Sequence, residues 1–211
     1  MTAAIKNISL LALSILLLST SCRKIQRLSF KNSSNNQVIA LIPLDNFDSS
    51  KIEKIALDIS QAFHKPTITL QGKIMSPTFF NTNAKQYSAD SILDMLELIK
   101  PDSITELIGV TSQPIFSFNK SDKSHRYQEW IFGLGDHPGN VCIISDAAFK
   151  TNNPVLYLER TRKVILHEVG HNMGLEHCTN NTCIMSEQNG SLQRLDKNGS
   201  AYCSVCLSRI Y

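Results

Sequence analysis

Apolar positions along the chain fall into two spacings. Residues 38–44 form a short apolar run interrupted only by Pro43, which predicts a strand. From 49 to 63, Ile52, Ile55, Ala56, Ile59 and Phe63 recur every three or four residues, predicting an amphipathic helix capped by Ser49 or Ser50. Residues 67–70 alternate as a strand does. A second helical spacing, Ile92, Leu93, Leu96 and Ile99, follows Asp90, which can cap it, and Pro101 lies just past its end. Residues 104–110 read as a buried strand. Residues 130–134 and 141–145 read as two more, joined by a turn of Gly135, Asp136, His137, Pro138, Gly139 and Asn140. Asn153 and Pro154 supply a cap and a first-turn proline for a long helix running to about Met173. Alternating strands and helices predict an α/β class, and no internal repeat is present.

The first residues break this pattern. Lys6 gives a short positive region, residues 8–18 are apolar, and Ser19, Thr20 and Ser21 precede Cys22. This is export-leader anatomy, and the apolar run is shorter than the roughly 20 residues that span a bilayer. The ending resembles a bacterial lipoprotein processing site, with Leu18 one place further from the cysteine than usual. That resemblance makes Cys22 the lipid-bearing first residue of an exported, membrane-anchored protein facing the periplasm or the cell exterior. Residues 1–21 are then a signal peptide, 22–36 a basic, Asn/Ser-rich tether, and 37–211 a single domain. The formal charge of +3 and the lack of a basic, aromatic-interleaved stripe argue against a nucleic-acid partner.

The chemistry is concentrated in residues 167–177. His167 and His171 are four apart, so on the predicted helix both imidazoles share one face and can reach one metal. Glu168 falls beside them. Gly174 can turn the chain at little steric cost and let His177 return as a third ligand. Three nitrogen ligands suit a tetrahedral zinc that keeps one place for water. The expected function is peptide-bond hydrolysis by a zinc-activated water, with Glu168 as the general base.

Cys178 and Cys183 form one pair, and Cys203 and Cys206 another. Such pairs suit a closed structural zinc site, and in an oxidising compartment they suit two disulfides. The pattern over residues 167–206 resembles the archaemetzincin signature at His167, Glu168, His171, Gly174, His177, Cys178, Cys183, Met185, Cys203 and Cys206. The stretches 108–111, 131–135 and 141–145 are similar to that family's strands. The resemblance implies a compact metzincin-like α/β domain with a mixed twisted sheet, an active-site helix and a zinc-bound, Cys-rich C-terminal segment. It also implies two zinc ions per chain, one catalytic and one structural, with Met185 in the turn beneath the catalytic metal. By its own residue type, Met185 could equally be core. The export leader departs from a family usually thought of as cytosolic.

The remaining candidates are weaker. His64, His125 and His137 read as surface or loop histidines, Cys142 as a buried apolar residue, and Glu176 as solvent-facing. Tyr202 fits either the cleft or packing near Cys203. Residues 130–134 are packing residues or an edge strand for an extended peptide. The expected partner is a peptide or unfolded protein. The alternatives are a zinc-stabilised peptide-binding lipoprotein with little turnover, and a redox or zinc-buffer lipoprotein using the cysteines.

Overall fold

The computed structural model describes residues 37–118, 130–188 and 190–210. The leader, Cys22, the tether and His125 lie outside the described residues. In chain order the elements are β1 (Ile39–Pro43), α1 (Ser49–Phe63), β2 (Thr67–Thr69), β3 (Phe80–Asn81), β4 (Gln86–Ser88), α2 (Ala89–Ile99), β5 (Glu106–Thr111), β6 (Ile115–Phe116), β7 (Gly133–Gly135), β8 (Val141–Ser145), α3 (Pro154–Asn172), α4 (Leu192–Lys197) and α5 (Ser204–Ile210).

The central sheet runs β2-β1-β5-β8-β7. Its first four strands are parallel, and β7 joins β8 antiparallel as an edge. Successive side chains of a strand point to opposite faces, and both faces here are covered. Ile39, Leu41, Ile108, Val110, Cys142 and Ile144 pack toward α1 and α3, meeting Ile52, Ile55, Ile59, Val164, Ile165 and Val169. Ala40, Ile42, Leu107, Val141 and Ile143 pack the other way, against Ile92, Leu93 and Leu96 of α2. The strands therefore read as continuous apolar runs because neither face meets water. Cys142 is core, as expected. A third cluster, including Leu166, Leu175, Ile184, Met185 and Ile210, seats the C-terminal segment on α3.

Several local expectations are corrected. The cap of α1 is Asp48, whose side chain accepts from the Ser50 N–H, and not Ser49 or Ser50. The cap of α2 is Ser88; Asp90 sits in the first turn and accepts from Ser117 Oγ at 3.0 Å and Phe118 N at 3.1 Å. The strand expected over 130–134 starts only at Gly133. Trp130 has φ 63°, outside the strand region, and Ile131 makes an isolated bridge to Ile115. The small sheet β3-β4-β6 and the helices α4 and α5 went unpredicted, because segments this short show no hydrophobic period. Among the described residues no helix is long and apolar enough to cross a membrane.

Candidate metal centres

Helix α3 begins where its sequence says it should: Asn153 accepts from the N–H groups of Val155 and Leu156, and Pro154 opens the first turn. It ends at Asn172, Met173 forms the cap, and Gly174 at φ 87° turns the chain back. This brings His177 to the two histidines of the helix. The ring of His177 lies 5.3 Å from that of His167 and 5.0 Å from that of His171. The three can offer ligand atoms all within 4.8 Å of one another.

The hydrogen bonds fix which nitrogens are offered. His167 Nδ1 lies 2.8 Å from the Ile184 carbonyl, and His171 Nδ1 lies 2.8 Å from the Leu175 carbonyl. A carbonyl only accepts, so each Nδ1 carries the proton and each Nε2 keeps its lone pair. The two Nε2 atoms then face each other at 3.2 Å. Two lone pairs at that distance repel each other unless a proton or a metal ion lies between them. Zinc bonded to nitrogen at about 2.0–2.1 Å in tetrahedral geometry separates its ligands by about 3.3 Å, so the residues present fit zinc. Electrostatics agree. Burial, and then the neighbouring imidazoles, push His167 down to about 3. Burial also pushes His171 down to about 4, against the pull of the Leu175 carbonyl. Both rings are therefore neutral over the physiological range, as ligation requires.

Glu168 is buried at the same place. It lies against β7: a Cβ on Gly133 would come within 2.7 Å of its Cγ, and one on Gly135 within 2.5 Å of its main-chain oxygen. Those two glycines let the edge strand pass directly over the helix. Burial pushes the Glu168 carboxyl up to about 8, and the Gly135 backbone N–H pulls the other way. A cleft of about 550 Å³ opens on these groups, lined by His167, Glu168, His171, His177 and the outer edge of β7.

The four cysteines gather behind the helix and are free thiols. Cys178 Sγ lies 3.9 Å from Cys203 Sγ, and Cys183 Sγ lies 3.7 Å from Cys206 Sγ. A disulfide needs about 2.05 Å, whereas tetrahedral zinc with sulfur at about 2.3 Å spaces its ligands about 3.8 Å apart. The sulfurs are spaced for a metal. The backbone N–H of Cys206 holds the Cys203 thiol down to about 7, whereas burial pushes the Cys183 and Cys206 thiols up.

Residues 183–185 serve both centres. Cys183 gives its sulfur to the cysteine cluster, the Ile184 carbonyl holds His167, and Met185 lies fully buried against Gly170. A Cβ at Gly170 would be driven into Met185 Sδ and would come within 3.1 Å of Tyr202 Cε1. Tyr202 packs on the helix rather than reaching the cleft, and its hydroxyl donates to the Leu166 carbonyl at 2.6 Å. His137 lines the cleft, its ring 5.9 Å from that of His171 and its Nε2 3.6 Å from Glu176 Oε1. It is an exposed turn histidine, as expected, and the turn after β7 brings it to the cleft, which nothing in the sequence shows. Glu176 is exposed as expected, and His64 is the left-handed C-cap of α1.

The pattern of peptidase family M54 matches residues 44–211. An archaemetzincin of Archaeoglobus fulgidus is 31% identical over 163 residues, which cover 77% of this chain and 92% of its own. The chain belongs to the archaemetzincin family. An archaemetzincin of Sulfolobus acidocaldarius is 25% identical over 177 residues, covering 82% of this chain and 95% of its own. The crystal structure of the Archaeoglobus fulgidus archaemetzincin, complexed with malonate, superposes with a TM-score of 0.71 at 29% identity, over 82% of this chain and 100% of that one. The archaemetzincin of Methanopyrus kandleri shares the fold, with a TM-score of 0.69 at 24% identity over 84% of this chain and 95% of that one. As a member of this family the chain is a zinc metallopeptidase of mixed α/β fold.

Proposed function

We propose that His167, His171 and His177 hold the catalytic zinc and that Glu168 is the general base for peptide-bond hydrolysis. The observation that carries this reading is the pair of Nε2 lone pairs facing at 3.2 Å beside a buried carboxyl in the cleft. When bound, zinc supplies a Lewis acid that acidifies water and polarises a carbonyl. Glu168 takes a proton from the attacking water at a carboxylate oxygen and passes it to the leaving nitrogen as the C–N bond breaks. The water's oxygen ends on the new carboxyl group. The outer edge of β7 offers main-chain groups to an extended peptide, which would add as a further strand. Peptides or unfolded segments suit such an edge because their backbone is free to pair.

The cysteine cluster would hold a second, structural zinc, giving two per chain, with Met185 as the floor beneath the histidines. The N-terminal leader supports export and a lipid anchor on Cys22, which the intact mass of the mature protein would reveal. Glu168→Gln tests the central role. It should keep zinc at the wild-type ratio and lower kcat at least about a thousandfold, since removing a group that acts in the transition state costs about that much. Peptide turnover within tenfold of wild type in that variant would remove Glu168 from the reaction. The peptide-binding alternative requires instead that wild-type protein bind peptides with little or no turnover.

A further inference from the structure

Glu106 is a buried carboxyl that the proposed reaction does not use. It opens the central strand β5 and is 1% exposed, in a sheet whose other buried polar residues, Thr111 and Ser145, are uncharged. Its Oε1 accepts a hydrogen bond from Asn172 Nδ2. Asn172 is the last residue of α3, is buried, and directly follows His171.

Asn172 has further duties at the same point. Its main-chain carbonyl accepts from Gly139 N at 3.0 Å, tying the turn after β7 to the helix end. Its Oδ1 stands where a Cβ on Gly135 would come within 2.9 Å, so β7 rests on it. The same turn is tied to β5 by Leu107 N donating to the Asn140 carbonyl at 3.0 Å. One residue thus joins the helix that carries His167, Glu168 and His171 to β5, to β7 and to the turn bearing His137.

We propose that Glu106 and Asn172 are a positioning pair, which fixes where α3 ends and therefore how His171 and the edge strand β7 stand relative to each other. Neither side chain touches the three Nε2 atoms or lies among the residues lining the cleft. They act through the main chain between Asn172 and His171 and through the contact with Gly135. Burial favours the neutral form of Glu106 and raises it to about 8, against the hydrogen bond from Asn172 and then the attraction of Lys100. A neutral carboxyl and an amide can remain paired in a dry interior without a counter-charge. Packing alone would be served as well by two leucines. A polar pair adds direction, because a hydrogen bond holds one helix rotation and an apolar contact tolerates several.

The inference rests on the reading of the histidine triad as a metal site, so the wild-type protein is assayed first for two zinc ions per chain. Absence of metal at the triad would overturn that reading before any variant is made. The variants are Glu106→Gln, Glu106→Leu and Asn172→Leu in the full chain. Three quantities are read: the rate at which a chelator removes zinc from the histidine site, the visible absorption of cobalt placed in that site, and kcat against KM. Glu106→Gln keeps size and an acceptor oxygen and should stay within about threefold of wild type. Glu106→Leu and Asn172→Leu should release zinc about tenfold faster, a loss of the size seen when groups behind metal ligands are removed. They should also shift the cobalt spectrum and lower kcat more than they raise KM, while the cysteine site keeps its metal.

If both leucine variants fold with wild-type zinc release and cobalt spectrum, the pair is only packing and the proposal fails. Equal damage from glutamine and leucine at 106 would also overturn it. Should the leucine variants not fold, Asn172→Gln decides, because it keeps the amide on an arm longer by one methylene. An unchanged cobalt spectrum in that variant refutes positioning, and a shifted one supports it. Lack of peptide turnover in the wild type would sink the peptidase reading yet leave the zinc-release and spectral tests intact.

Discussion

The two ligand clusters differ in charge, enclosure and the way the chain builds them. The histidine triad uses imidazole donors, two of them four residues apart on one helix and the third returned by a turn at Gly174. It faces a cleft and sits beside a carboxyl. The cysteine cluster draws on two distant pairs, and its four sulfurs leave no open position. Neutral imidazoles leave the full charge of a divalent ion available for chemistry, whereas four thiolates cancel it and reverse it. The difference teaches how one short segment can serve chemistry and stability together. Residues 183–185 give a sulfur to the cysteine cluster and a carbonyl to His167, so a zinc at the cysteines, as proposed, would scaffold the histidine site.

The largest effect should come from breaking the closed site. A structural zinc supplies on the order of 10 kcal/mol of folding free energy in small domains, against about 5–15 kcal/mol for a whole domain. On the proposed two-zinc reading, Cys183→Ser should therefore bring the zinc content below one per chain and expose the C-terminal segment to proteolysis. It should weaken zinc at the histidines as well, because the Ile184 carbonyl would lose its place. Full zinc occupancy of the histidine site in that variant would show the clusters to be independent. Gly170→Ala tests the wall between them. Its Cβ would be forced into Met185 Sδ, and overpacking of this kind costs about 1–3 kcal/mol. A lowered Tm with slower turnover is the expected result; an unchanged Tm would mean that Met185 has room to withdraw. Tyr202→Phe removes the hydroxyl's bond to the Leu166 carbonyl, worth about 0.5–1.5 kcal/mol. Here Tm should drop by a few degrees while kcat stays within about twofold, and a larger loss of kcat would make the tyrosine part of the coupling.

Strong local signals were readable along the chain. The span of α1, the Asn153-capped, proline-opened start of α3 and the burial of β5 and β8 follow from local sequence alone, since caps and periods need no distant partner. So do the shared face of His167 and His171 and the turn at Gly174. The caps at Asp48 and Ser88 were missed because several neighbouring polar residues can cap, and only packing selects one.

Other features depended on segments far apart in sequence. The proton on each Nδ1 is decided by carbonyls at Ile184 and Leu175, and only once the chain has turned back onto the helix. Glu106 and Asn172 are 66 positions apart, and nothing local marks them as partners. A carboxylate opening an apolar run was the one available hint, and the sequence is silent about what it meets. Periodicity and ligand spacing are properties of neighbouring residues, so they determined the fold class, the helix and the donor set. Protonation, burial and the meeting of β7 with Glu168 are long-range contacts that exist only after the elements pack, so the tertiary structure decided them.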